Sequence, residues 1–153
     1  MKRASFVIFA VSLLAVPVLA ETKPELTKEA IIGKYLKTDL NECDDGERGL
    51  CDEALILEEK GKLLLVLGDS SRPVTMSLRK SKNVYVFDEN FLEDCDEPGC
   101  GNLESAEGVV YYRKVNKKWI PTIRVSINVD FPFPEYPGDT EGPVTSTAHL
   151  IKQ

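Results

Sequence analysis

The chain has 153 residues, 25 acids against 19 bases and 42% hydrophobic residues, which fits one globular domain. Two of those bases lie in the first three residues, so residues 21–153 hold 17 bases, 25 acids and a net charge of −8. That sign disfavours nucleic acid as a partner, because holding phosphates needs a basic surface.

Lys2 and Arg3 precede an apolar run over residues 6–19, and Val18 and Ala20 occupy the small positions before a cut. This is the pattern of a secretory signal peptide over 1–20, leaving a single domain over 21–153 with a secreted or periplasmic address. A spanning helix needs about 20 apolar residues. Pro17 favours processing, so no transmembrane anchor is expected in the mature chain, which is expected to be a monomer. No cysteine follows the cut, which argues against a lipid-bearing N-terminus.

Residues 24–32 favour a short helix, with Pro24 near its start and Gly33 just after its end. Strand signals then follow at 33–39, 54–59, 62–67, 73–79, 84–91, 107–115, 118–128 and 144–152. Over 73–79, for example, Val74, Met76 and Leu78 alternate with Thr75, Ser77 and Arg79. No helix between these strands is long enough for a parallel crossover. The expected fold is therefore all-β, an eight-stranded antiparallel up-and-down meander closing into a barrel. Leu63, Leu65, Met76, Val86 and Ile123 are expected to face its interior.

The connections alternate in length. Long ones near 40–53, 92–106 and 129–143 are separated by even numbers of strands, so they share one end, and the tight turns share the other. Charge divides the same way: residues 39–53, 93–104 and 130–141 hold sixteen acids and one base. The rest of 21–153 holds nine acids and sixteen bases, many beside the turns: Lys60 and Lys62, Arg79, Lys80 and Lys82, then Arg113, Lys114, Lys117 and Lys118. An acidic mouth and a basic base follow.

Four cysteines in an exported chain read as two disulfides, for which three pairings exist. The local pairs Cys43–Cys51 and Cys95–Cys100 are favoured, because Pro98-Gly99 suits a turn that brings the second pair together. Their spacings lack the close repeats of a zinc site. The candidate partner-binding residues are Glu42, Asp44, Asp45 and Glu47 in the first loop and Asp94, Asp96 and Glu97 in the second. In the third, Phe131, Phe133 and Tyr136 alternate with prolines that keep the segment extended. No cofactor is expected. Calcium is the alternative, with Asn41, Asp45 and Asp52, beside Asp44, as oxygen ligands, although the loop departs from the EF-hand pattern. Catalysis is not expected: His149 is the only histidine, lies on the outward side of the last strand, and has no nucleophile motif beside it.

The layout resembles the calycin group, the lipocalin-like barrels. A short helix precedes eight meander strands, and Gly33-Lys34-Tyr35 opens the first strand where lipocalins place Gly-x-Trp, with Tyr35 in place of the Trp. The resemblance implies binding. Its object is either a cationic protein met by the acidic loops or a small apolar ligand held inside. Eight strands leave room for core side chains or one small ligand, and the bulky inward residues favour the former.

Overall fold

The computed structural model describes residues 22–38, 43, 49–68, 73–92, 101–132 and 142–153. They form α1 (Lys28–Ile31), then β1 (Gly33–Lys37), β2 (Glu53–Glu59), β3 (Lys62–Leu67), β4 (Val74–Ser77) and β5 (Arg79–Ser81). β6 (Val84–Asn90), β7 (Asn102–Val115), β8 (Lys118–Phe131) and β9 (Gly142–Lys152) complete the chain. Every pairing is antiparallel, in the order β4-β3-β2-β1-β9-β8-β7-β6-β5. The first and last strands meet through Tyr35↔Lys152, Leu36↔Ile151 and Lys37↔Leu150. The two ends of the sheet order, β4 and β5, are separated by one residue. The sheet is therefore a nearly closed barrel.

Nine strands stand where eight were expected, because the fourth is broken at Leu78. β4 pairs with β3 and β5 with β6, and Leu78 N–H still donates to the Leu63 carbonyl at 3.0 Å. The chain thus passes from one neighbour to the other at a buried residue. β7 also starts five residues earlier than its apolar pattern suggests, with a register shift between Leu103 and Ser105. The helix is one turn long, capped by Thr27, whose hydroxyl accepts from Ala30 N–H at 3.2 Å. Val86 is a correction: it lies on the outer wall, and its neighbours Tyr85 and Phe87 are buried instead.

The interior is built from alternate residues of each strand. Ala54, Ile56, Leu63, Leu65, Leu67, Met76, Phe87, Val110, Ile123, Val125, Ile127 and Leu150 belong to one buried cluster. Each such aliphatic or aromatic side chain stabilises the fold by about 1.5–3 kcal/mol relative to its exposed state. The basic end is stopped by α1. Leu26 and Ile31 are fully buried, and the fully buried Tyr35 donates its phenol proton to the Ile31 carbonyl at 2.6 Å. Leu26 N–H reaches Asn83 Oδ1 at 2.8 Å, Lys28 meets Glu58 at 2.8 Å, and Lys152 Nζ donates to the Ala30 carbonyl at 2.6 Å.

The three two-residue turns, Lys60-Gly61, Lys82-Asn83 and Asn116-Lys117, alternate with the long connections and so stand at that same end. Lys60 (φ 51°), Lys82 (φ 54°) and Lys117 (φ 67°) all sit in the left-handed region. That conformation costs an L-residue roughly 1–2 kcal/mol, and glycine or asparagine adopts it more readily.

Candidate functional site

The connections β1–β2, β3–β4, β6–β7 and β8–β9 all leave from the end opposite α1, because each antiparallel step reverses the chain. The first is the best described. Cys43 and Cys51 are disulfide-bonded, as favoured from the sequence, and Cys51 and its neighbour Leu50 have no exposed surface. Gly49 (φ 64°) turns the chain, Asp52 N–H closes on the Gly49 carbonyl at 3.1 Å, and Lys37 N–H takes the Asp52 carbonyl at 2.9 Å. The segment from Gly49 to Asp52 is thereby stitched to β1, with Leu50 driven into the buried cluster as a stopper at the mouth.

Asp52 itself is exposed and faces Lys37 Nζ at 3.9 Å. Beside it Glu53 pairs with Lys34 at 2.5 Å. Both lie toward solvent, so their attraction is screened and contributes at most about 1 kcal/mol each. Asp52 is the one calcium candidate among the described residues, and its nearest charged partner there is a base. No group of three or more His, Cys, Asp or Glu side chains converges among the described residues.

Phe131 ends β8 with only 9% of its surface exposed. Its ring packs so closely that a Cβ on Gly101 would meet it at 2.8 Å. The sequence pattern grouped it with Phe133 and Tyr136 as a partner anchor, but its side chain is spent on the barrel's own core. Asn102, opposite Asp130 at the same rim, keeps its Oδ1 buried without a hydrogen-bond partner. The remaining candidates, Asn41, Glu42, Asp44, Asp45, Glu47, Asp94, Asp96, Glu97, Phe133 and Tyr136, lie outside the described residues, as do Cys95 and Cys100.

Leu50 is the residue that sequence reasoning passed over. Its signal was present: one aliphatic residue between Gly49 and Cys51, inside an otherwise acidic run. A lone apolar side chain beside a disulfide half-cystine has a short lever and a fixed place to pack. His149 lies opposite Arg124 on the outer wall, half-buried, and its carbonyl accepts from Thr38 N–H at 3.1 Å and Thr38 Oγ1 at 3.3 Å.

Among the described residues, two shallow depressions mark the outer wall. One, of about 410 Å³, lies over Leu55, Val66 and Pro73 beside the Lys34–Glu53 pair. The other, of about 330 Å³, lies over Val86 and Val109 between the Arg79–Asp88 pair and Arg124. The second also carries Asp88 and, facing each other across the ladder, Glu107 and Ser126. The disulfide is compatible with an extracellular location. No helix among the described residues is long and apolar enough to cross a membrane. Compared with protein-family models, with curated proteins and with solved structures, the chain matches none.

Proposed function

We propose that this protein is a secreted or periplasmic, non-enzymatic binding module whose acidic, disulfide-pinned loops engage a cationic protein. The observation that carries the reading is the stopper: Leu50 and Cys51 are buried at the loop-bearing end, and Tyr35, Leu26 and Ile31 at the other. A carrier of small apolar molecules needs a vacant interior and a way in. Here the inward positions of the described strands carry mostly Leu, Ile, Val, Met, Phe and Tyr, with Ala54, Ala106, Ala148 and Ser146 among them. Recognition then falls to the loops, which hold sixteen acids against one base. Such a concentration of one sign speeds encounter with an oppositely charged partner and makes binding sensitive to salt.

A basic protein such as a lysozyme serves as the probe, with affinity measured by calorimetry. Binding is expected to weaken steeply as salt is raised. The double variant Asp44→Asn/Asp45→Asn is expected to lose about tenfold in affinity, at roughly 0.5–1 kcal/mol per exposed charge. Binding that ignores both salt and these substitutions would sink the reading. Native mass spectrometry of protein purified from its own host then tests the carrier alternative, which requires a co-purifying small molecule.

A further inference from the structure

We infer that the end opposite the acidic loops is a docking surface for an anionic phospholipid bilayer, led by the basic hairpin that joins β7 and β8. β7 pairs with β6 only as far as Val110, and β8 pairs with β9 only from Thr122. Between those points β7 and β8 pair with each other alone, from Tyr112↔Pro121 to Val115↔Lys118. The hairpin therefore runs on past the barrel as a two-stranded ribbon. Arg113, Lys114, Lys117 and Lys118 lie within six residues at its tip, all exposed. Pro121 fits this place, because on the β9 side it has no strand to bond.

The charge is uncompensated. Of the carboxylates at this end, Glu25 is held by Lys80 and Glu58 by Lys28, leaving Glu29 and Glu59. Among the described residues no carboxylate reaches Lys60, Lys82 or any of the four hairpin bases. A cluster of four to eight bases is what holds a protein to an anionic leaflet, each contributing roughly fivefold in affinity.

Three further observations point to a lipid surface. First, a lysine occupies a left-handed backbone position at every one of the three tight turns, where asparagine or glycine would sit with less strain. Each of the three turns thus carries a positive charge at a conformational cost. Second, the ribbon interleaves its bases with half-buried Tyr111, Tyr112, Trp119 and Ile120, and Lys114 Nζ lies 5.4 Å from the Trp119 ring centroid. The indole N–H of Trp119 is itself buried without a hydrogen-bond partner; aromatic rings beside Lys and Arg are the side chains that the headgroup level of a bilayer accommodates. Third, a cleft of about 500 Å³ opens between α1 and the Lys60-Gly61 turn, lined by Lys28, Lys62, Leu63, Leu78 and Tyr85. It offers the Lys62 ammonium above an apolar floor, beside Lys28, which is paired with Glu58. A nucleic acid fits less well, because the net charge of residues 21–153 is −8 and phosphate tracking needs a basic surface beyond one end.

Trp119 is the chain's single tryptophan, so its fluorescence reports on this end alone. Titration with phosphatidylglycerol-rich vesicles is expected to shift its emission to the blue, and phosphatidylcholine vesicles are expected to leave it unchanged. The combined variant Lys60→Asn, Lys82→Asn and Lys117→Gly removes three charges and relaxes three turns. It is expected to lose about a hundredfold in vesicle affinity, with a melting temperature equal to or above the parent's. Lys114→Gln/Lys118→Gln, at ordinary strand positions, is expected to weaken binding without touching a turn, and Arg124→Gln on the barrel wall to leave it unchanged. All variants share residues 1–20, so any contribution of that apolar run cancels. Equal binding to both vesicle types, or unchanged affinity in the triple variant, would overturn the inference. So would a lower melting temperature in that variant, or capture of duplex DNA in place of vesicles.

Discussion

Gly108→Ala is expected to destabilise the fold by about 3 kcal/mol or more, read as a fall of roughly 10 °C in melting temperature for a domain of this size. Gly108 lies in β7 between Phe87 of β6 and Val125 of β8. A Cβ there would strike the Arg124 backbone carbonyl and meet Phe87 Cζ at 2.6 Å. A side chain can turn aside. A carbonyl in the ladder cannot, so β7 and β8 would have to separate at the pairing that carries both the basic ribbon and the rim. The ring of Phe87 lies where the missing side chain would have been, which is how an aromatic neighbour covers a strand glycine. Gly61→Ala is the control. It has φ +78° and open space around its Cβ, so only backbone strain is added, roughly 1–2 kcal/mol. Denaturant unfolding of both variants separates steric from conformational cost. A loss at Gly108 no larger than at Gly61 would show that the strands yield.

Much of the barrel was legible in the alternation of its strands, and the exceptions have physical causes. The pairs β2–β3 and β7–β8 follow from leucine-rich or valine- and isoleucine-rich runs around two-residue turns. In Val84–Asn90 both faces of the strand read as apolar, since Val84 and Val86 alternate with Tyr85 and Phe87. Period two alone cannot then choose the inner face, and volume decides: the barrel takes the larger aromatics. The break at Leu78 leaves no compositional mark, because it arises from closing the ring, where one strand must serve two neighbours. The early start of β7 was hidden by Glu104, an acid that points outward from a strand rather than into a loop.

The candidate site was legible in a different way. The grouping of the loops at one end follows from counting antiparallel reversals, and the local Cys43–Cys51 pair from sequence distance. What composition could not reveal is that Leu50 and Phe131 spend their apolar surface on the core, and that the turn lysines adopt a conformation their residue type resists. Burial and backbone angle, the two quantities missing from a sequence, are the ones that separate a solvated charge from a placed one. If both proposals hold, an acidic loop end facing a cationic protein and a basic turn end facing an anionic bilayer would orient the barrel between them, with its packed core as a spacer.

Tyr35 tests that spacer directly. Tyr35→Ala is expected to cost about 3–5 kcal/mol, the range for emptying a large buried aromatic site. The apolar cavity so created should then take up a small aromatic probe. Tyr35→Phe isolates the hydroxyl. It leaves the Ile31 carbonyl without its 2.6 Å donor, at a cost of about 1–3 kcal/mol near neutral pH. The two chains should diverge in their response to alkali. Burial pushes the Tyr35 phenol well above its ordinary value of 10.0, and Tyr112 adds to the shift. The folded phenol thus keeps its proton after the unfolded one has lost it. The stabilisation is complete below about pH 10 and is lost above it, at up to about 1.4 kcal/mol per pH unit. Tyr35→Phe has no such proton, so its disadvantage should shrink as pH rises from 10 toward 12. Urea unfolding at a series of pH values measures it, and a constant gap across that interval would mean that the phenol is not what the buried end depends on.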